Sequence, residues 1–398
     1  MASAVLRLHI AGSAGTYKVS AEIGDKRESD TLGSLPDKLR ENLQRLQEAM
    51  LLTSESIANR APTRRRPTAP PPVSTATPVR GFAAAFADTK GIQEIGSRLF
   101  DCVFQPAVYK LYQESLDASL TNQELLQIKL CVEAPELSYI PWETMFDHRG
   151  LFYLSCYQWT PFARATMRDR DLHIYDKPPL RILCMVSAPN DFIGTPYELQ
   201  TDVEQAALDH TLAQLKQQKK VKLCWTASGT QRELAARIVK GDDEGEKWDV
   251  FLFLGHGLEG QVLLEEDGGS SYQAISADTL KGVLSAPKGP KLVILNSCKG
   301  ARRPEDRLAS TAEMLVKGGT IAAVVAMQFD VSDTMATKFS PALFTNLMLN
   351  VSIQEAMTLT RLELQGAGFS EWISPVLYMQ NKDGRVLRDT GAAETGGA

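Results

Sequence analysis

Apolar and polar residues alternate from Val5 to His9 and again from Tyr17 to Ile23, on either side of Gly-Ser-Ala-Gly, which predicts a β-hairpin. Pro36 to Leu52 instead spaces its leucines at helical intervals, so residues 1–60 read as a hairpin-and-helix unit. The periodicity breaks at 61–82. There APTRRRPTAPPPVSTATPVRG is rich in proline, which removes backbone donors and blocks helix and sheet alike. This stretch is expected to be a linker or a long exposed loop, with Arg64-Arg65-Arg66 a solvated charge run rather than a processing site or an anion contact.

Beyond it, Ile92 to Leu116 predicts one or two helices, Leu126 to Val132 a strand, and Phe152 to Ala165 a strand and loop. From Pro179 the pattern changes to short apolar runs alternating with helical ones. Strands are expected at Arg181–Ser187, Val221–Trp225, Trp248–Leu254, Lys291–Leu295, Thr320–Ala326 and Pro375–Met379. Helices are expected at Tyr197–Lys219, Gln231–Val239, Ala277–Leu284, Thr311–Lys317, Thr334–Leu349 and Ile353–Leu364, with a hairpin around EEDGGSS. Uniformly apolar strands separated by helices predict an α/β fold, a mainly parallel sheet covered on both faces. Such sheets place their sites where loops leave the carboxyl ends of strands. The tail from Asp383 is small, polar and glycine-rich, and is expected to be disordered.

Bulk properties narrow the function classes. The 398 residues carry a formal net charge of -5, so nothing in the overall balance attracts a polyanion, and no nucleic-acid partner is expected. There is no apolar run of the roughly 20 residues a membrane helix needs, and the N-terminus lacks the apolar core of a secretion signal, so a cytoplasmic protein without membrane attachment is expected. The 6 cysteines are scattered without C-x-x-C pairs; five of them are expected to act as small buried hydrophobes. No cofactor is indicated, and no metal-ligand spacing occurs among the histidines. His9, His148, His173 and His210 read as surface or packing residues.

Reactive residues gather at three strand ends: Leu254-Gly255-His256-Gly257, Leu295-Asn296-Ser297-Cys298-Lys299-Gly300 and Met327-Gln328-Phe329-Asp330. In a parallel sheet these ends share one edge. A thiol attacks a carbonyl as the thiolate, which an adjacent imidazole makes accessible near neutral pH, from a free pKa of about 8.5. The interval between His256 and Cys298 leaves room for the hairpin, helix and strand that would bring both loops together. Glycines flanking His256 clear space for a substrate chain, and the amides of Gly257 and Cys298 could bind the oxyanion. Taken singly, His256 could be a satisfied strand-end histidine and Cys298 a buried filler; their paired setting favours chemistry. Gly255-His256-Gly257-Leu258-Glu259-Gly260 also matches the dinucleotide pattern G-x-G-x-x-G. That pattern needs a helix next, and QVLLEEDGGSSY reads as strand and turn. No Walker A loop or G-x-S-x-G elbow occurs.

FLFLGHG at Phe251–Gly257, LVILNSCKG at Leu292–Gly300 and VVAMQFDVSDTMATKFSPALF from Val324 resemble the histidine, cysteine and following-strand segments of the CHAT family, peptidases of the caspase, gingipain and separase clan. YIPWETMFD at Tyr139–Asp147 is similar to that family's I-P-W-E element, and PLRILCMVSAP resembles the strand opening its peptidase half, so the likeness runs from Leu126 to Gln380. The resemblance implies a degenerate caspase-like half at 83–177 and a catalytic half at 178–382, followed by the 383–398 tail. It implies His256 as general base, Cys298 as nucleophile and Gly257 as oxyanion donor. Many relatives carry tetratricopeptide repeats or a ligand-sensing domain, and no 34-residue repeat is visible here. By analogy the resemblance implies a cysteine endopeptidase triggered by a partner or ligand-sensing protein, acting on a gasdermin-like or other effector in bacterial defence or signalling. The alternative is a catalytically idle caspase-like scaffold.

Four further positions remain open. Trp142 and Glu143 of the I-P-W-E element are expected to serve packing, the carboxylate holding backbone amides. Asp330 and Asp333 follow the strand after the cysteine strand, where the clan shapes its substrate pocket; Asp333 is favoured as a helix N-cap. If Asp330 lines that pocket, a basic residue before the cut is expected.

Overall fold

Strands whose side chains are apolar on both faces can only be stable inside a sheet covered on both sides, and such strands organise the molecule. The computed structural model describes residues 3–13, 15–36, 39, 41–45, 50, 80–172, 178–195, 198–199, 201–268, 271–296, 308–382 and 384. In its first part, β1 (Ser3–Ser13), β2 (Thr16–Ile23) and β3 (Lys26–Thr31) precede α1 (Arg80–Val103) and α2 (Pro106–Asn122). Next come β4 (Leu125–Val132), the short pair β5 (Phe146–Asp147) and β6 (Phe152–Tyr153), and β7 (Phe162–Arg170). The second part opens with β8 (Leu180–Val186), α3 (Thr201–Gln217), β9 (Val221–Trp225), α4 (Gln231–Lys240) and β10 (Val250–Leu254). A hairpin of β11 (Gly257–Leu258), β12 (Gln261–Glu265) and β13 (Tyr272–Ser276) leads to α5 (Ala277–Leu284) and β14 (Leu292–Asn296). The chain continues with α6 (Leu308–Val316), β15 (Ala323–Met327), α7 (Asp333–Leu347), α8 (Ile353–Gly366) and β16 (Pro375–Asn381).

One 11-stranded sheet takes the order β3-β2-β1-β4-β7-β16-β15-β14-β10-β8-β9. The hairpin predicted at the N-terminus is present and extends into this sheet, because β1 pairs in parallel with β4 from Ser3↔Leu125 to Ile10↔Val132. β3 was not predicted. Its sequence, KRESDT, is almost wholly exposed, and charge on an edge strand discourages pairing with other chains. Leu39, Leu43 and Met50, the described residues of the expected N-terminal helix with buried side chains, join the core. The 61–82 stretch lies outside the described residues except for 80–82, which begin α1, and the tail lies outside except for Gly384.

β15 and β16 are antiparallel, whereas β16 and β7 are parallel. Consequently β15, β14, β10, β8 and β9 send their carboxyl ends to one edge, and β1, β4, β7 and β16 present their amino ends there. One face is packed by Leu208 and Leu212 of α3, Phe339 and Leu343 of α7, and Met357 of α8, together with Leu99 of α1 and Leu111 of α2. The other carries Leu234 and Ile238 of α4, Leu280 and Leu284 of α5, and Ala312 and Leu315 of α6. Every residue of β10, β14 and β15 is buried. The sites at their ends therefore rest on a rigid base.

Candidate functional site

His256 follows the end of β10, the strand held between β8 and β14. A Cβ on Gly255 before it would run into the ring of Phe253, so a side chain there would force that buried ring to shift. The carbonyl of His256 accepts from Leu263 N at 2.9 Å, and Ser187 Oγ donates to Leu263 O at 2.9 Å, which locks the hairpin onto the end of β8. Only 2% of His256 is exposed. The ring centroid of Phe192 stands 4.2 Å from that of the imidazole, at 49°.

The same hairpin sets the amide of Gly257. Gly257 pairs with Val262, and the Leu263 N to His256 O bond makes this a non-hydrogen-bonded antiparallel pair, whose own amides point away from the partner strand. The N–H of Gly257 thus faces away from β12. Gly260 closes the turn at φ +67°, and β12 follows. The G-x-G-x-x-G stretch is therefore a hairpin with no helix after it, and it offers no helix N-terminus to a pyrophosphate.

β14 lies beside β10 in parallel register, with Leu254 opposite Asn296. His256 stands two residues beyond Leu254, and Cys298 two beyond Asn296 in sequence; Cys298 itself lies outside the described residues. Sequence reasoning gave Asn296 no role. Its buried amide donates to Ser340 Oγ at 3.2 Å and Ala336 O at 3.4 Å, tying the end of the cysteine strand to α7. Ser310 was equally unmarked. Its hydroxyl accepts from Gly260 N at 3.0 Å, connecting α6 to the histidine hairpin. Neither residue type is informative alone, so no sequence signal separated them from ordinary strand-end and helix polar groups.

Asp330 and Asp333 follow β15, which flanks β14 on the side away from β10. The backbone around Asp330 is pinned. Gln328 N donates to Ser374 O at 2.9 Å, Phe329 N to Ser374 Oγ at 3.1 Å, and Ser332 N to the buried Glu371 carboxylate at 2.6 Å. Asp330 is half-buried. Asp333 is not the helix cap. Ser332 caps α7, its hydroxyl accepting from Met335 N at 3.2 Å, and Asp333 is the first helical residue. A serine at the cap leaves the aspartate in the first turn, where the helix dipole favours it.

Glu143 also departs from expectation, because its carboxylate holds side chains rather than backbone amides. Arg164 Nε donates to Glu143 Oε1 at 2.9 Å and Nη2 to Oε2 at 2.6 Å, while Gln328 Nε2 donates to Oε2 at 3.0 Å. Burial works against the Arg164 guanidinium, but Glu143 and Tyr378 outweigh it and hold its pKa above the ordinary value. Trp142 packs fully buried as expected, donating its indole N–H to Leu137 O at 3.2 Å.

The other titratable residues stand apart. Cys102, Cys156 and Cys184 are buried, while Cys131 and Cys224 are half-buried, all as free thiols. Burial pushes Cys102 and Cys156 up to about 12, Cys131 to about 11, and Cys184 and Cys224 upward as well. His9 meets Glu133 at 3.3 Å, His148 meets Asp101 at 3.7 Å, His210 is exposed, and His173 lies outside the described residues. Among the described residues no cluster of histidine, cysteine, aspartate and glutamate could hold a metal ion, and no helix is long and apolar enough to cross a membrane. A cavity of about 850 Å³ lies across β4, β7, β16 and α6, lined by Cys131, Met167, Asp169, Glu313 and Tyr378 among others. Neither His256 nor Asp330 reaches it.

The Saccharomyces cerevisiae separase in its complex with securin matches with a TM-score of 0.52 at 13% identity, covering 94% of this chain and 30% of separase, so the chain spans less than a third of that relative. The Arg-specific proteinase gingipain R matches at 12% identity with a TM-score of 0.42, covering 73% of this chain and 71% of its own. Caspase-1 from Spodoptera frugiperda matches at 15% identity with a TM-score of 0.35, covering 56% and 95% respectively. No curated protein matches the sequence. The CHAT domain model matches residues 93–370, well over half of the chain, and with its mainly parallel, helix-flanked sheet the chain belongs to the CHAT domain family.

Proposed function

We propose that this protein is a cysteine endopeptidase in which His256 and Cys298 act as a dyad. His256 takes the thiol proton, and the sulfur attacks the carbonyl carbon of a peptide bond. The amides of Gly257 and Cys298 receive the oxyanion, and the imidazolium returns its proton to the leaving amine. Water, deprotonated by the same imidazole, then hydrolyses the thioester. The observation that carries this reading is the register: Leu254 and Asn296 sit opposite each other on adjacent parallel strands, each two residues before its reactive side chain. Two peptide units span at most about 7 Å, a short tether from the end of β14.

His256 has 2% of its surface open, which supports cleavage that waits for a trigger. The similar separase was solved in complex with securin, and a protein partner or a ligand is proposed as the trigger here, in a defence or signalling setting with a protein effector as substrate. Asp330 is proposed to favour arginine or lysine before the cut. The test is a peptide library incubated with the full chain and with Cys298→Ala and His256→Ala, read by mass spectrometry, with circular dichroism as the control for folding. Both variants should lose cleavage and keep the fold. Cleavage retained beyond a trace by either one would overturn the assignment.

A further inference from the structure

The chemistry above leaves unused an apolar ledge beside His256, built from Phe192, Ile193 and Tyr272. Two carboxylates fix it. Glu265, at the end of β12, accepts from Ala188 N at 3.1 Å and Gly229 N at 2.9 Å, fastening the loops that leave β8 and β9. Asp191, next to Phe192, accepts from Ser271 Oγ at 2.8 Å and Tyr272 N at 3.2 Å, which fastens the same loop to the start of β13. Between these anchors the Phe192 ring lies 4.2 Å from the imidazole on one side and stacks on Tyr272 at 5.6 Å and 22° on the other.

Core packing would account for these rings if solvent could not reach them. It does reach them. Tyr272, stacked on Phe192, is 41% exposed, and Ile193, next to Phe192 in sequence, is 62% exposed. Exposed apolar surface gathered in one place marks a contact site, and an aromatic wall with few rotatable bonds receives an apolar group at low cost in entropy. The ledge adjoins the imidazole of the proposed base.

We propose that Phe192, Ile193 and Tyr272 form the subsite for a bulky apolar or aromatic side chain of the peptide substrate, close to the scissile bond. The inference rests on the reading of His256 and Cys298 as the dyad. A peptide carrying phenylalanine or leucine at that position is then cut faster than its alanine counterpart, by at least about tenfold, the lower end of what an apolar pocket discriminates.

The test uses the full chain and internally quenched peptides that vary one position at a time from alanine to leucine and phenylalanine, with long incubation and mass-spectrometric readout. Cys298→Ala serves as the control for the dyad. In the parent, one position near the cut should show the preference. Phe192→Ala should reduce cleavage of the bulky peptide at least about tenfold more than that of the alanine peptide, chiefly through KM. Tyr272→Ala should act in the same direction, and Phe192→Leu, which keeps an apolar wall and guards against a folding defect, should retain part of the preference. An unchanged preference in Phe192→Ala, or an equal loss for every peptide, would overturn the subsite while leaving the dyad standing. Cleavage that persists in Cys298→Ala would overturn the dyad, and the subsite with it.

Discussion

Replacing Glu143 by glutamine keeps the shape of the side chain and removes its charge, leaving the Arg164 guanidinium buried without a counter-ion. Both side chains are out of solvent, 0% exposed for Glu143 and 3% for Arg164, with contacts of 2.9 and 2.6 Å between them. Removing one partner of such a pair costs about 3–5 kcal/mol, because the surviving charge keeps its desolvation penalty. Against the 5–15 kcal/mol that typically separates folded from unfolded domains, Glu143→Gln should be severely destabilised. Replacing both partners with apolar residues of similar volume, Glu143→Leu with Arg164→Met, should recover much of the loss. Urea unfolding at pH 7 for the parent, Glu143→Leu, Arg164→Met and the pair makes a double-mutant cycle, with Glu143→Gln measured beside it. If Glu143→Gln unfolds within about 1 kcal/mol of the parent, or if the paired variant is no more stable than either single one, the ion pair is not what holds the I-P-W-E element in place.

Three further outcomes are expected. Asp242 is buried, yet Lys222, Arg181 and the amides of Glu244 and Glu246 outweigh the burial and hold its pKa at about 2. A carboxyl depressed by folding stabilises above its unfolded value of about 3.9 and stops doing so as the pH falls through about 2. The gap in urea midpoint between parent and Asp242→Asn should therefore be full at pH 6 and close on acidification; a gap independent of pH would contradict this. Iodoacetamide at pH 7 should modify Cys298 well before the five thiols that burial pushes up, as peptide mapping would show, and prompt modification of Cys131 would count against it. In the peptide library, Asp330→Ala should lose the preference for arginine or lysine before the cut, and a parent that cuts after acidic residues would show that Asp330 does not set that preference.

Most of the second part was legible because its signals are local. Runs such as VFLFL and LVILN can only be strands buried on both faces, and Ala277–Leu284 and Val221–Trp225 were predicted with the bounds the structure gives them. β3 escaped because an edge strand carries no apolar pattern. The cap of α7 was assigned to Asp333 instead of Ser332 because both residue types cap helices and only the backbone distinguishes them. Phe192 could not have been found at all. Its place beside His256 depends on carboxylates at positions 191 and 265, whose partners are set by tertiary structure. Asp330 was legible as a strand-end carboxylate, but the bonds that hold its backbone come from residues more than 40 positions away in sequence.

Distant bonds also tie the first part of the chain to the end of β15 in the second. The antiparallel junction of β15 with β16 brings the amino ends of β16 and β7 to the edge where β15 terminates. Ser374 and Glu371, just before β16, hold the backbone at Gln328, Phe329 and Ser332, on both sides of Asp330. Glu143 and Arg164 then hold the side chain of Gln328, at 3.0 Å each. Gln328 also donates to Ile373 O at 2.8 Å, so bonds to Ser374, to Ile373 and to the Glu143–Arg164 pair meet on one residue next to the proposed specificity loop. A loop pinned at each end presents its middle residue in one orientation, and pre-organised positioning of this kind is what a selective pocket requires. If Asp330 lines the proposed pocket, the I-P-W-E carboxylate would act as a positioning residue, holding Gln328 two residues before Asp330. Gln328→Ala, which cuts that connection and leaves the Glu143–Arg164 pair in place, should then loosen discrimination between basic and neutral residues before the cut while costing less stability than Glu143→Gln. Discrimination equal to the parent's would mean that Ser374 and Glu371 suffice to hold the loop.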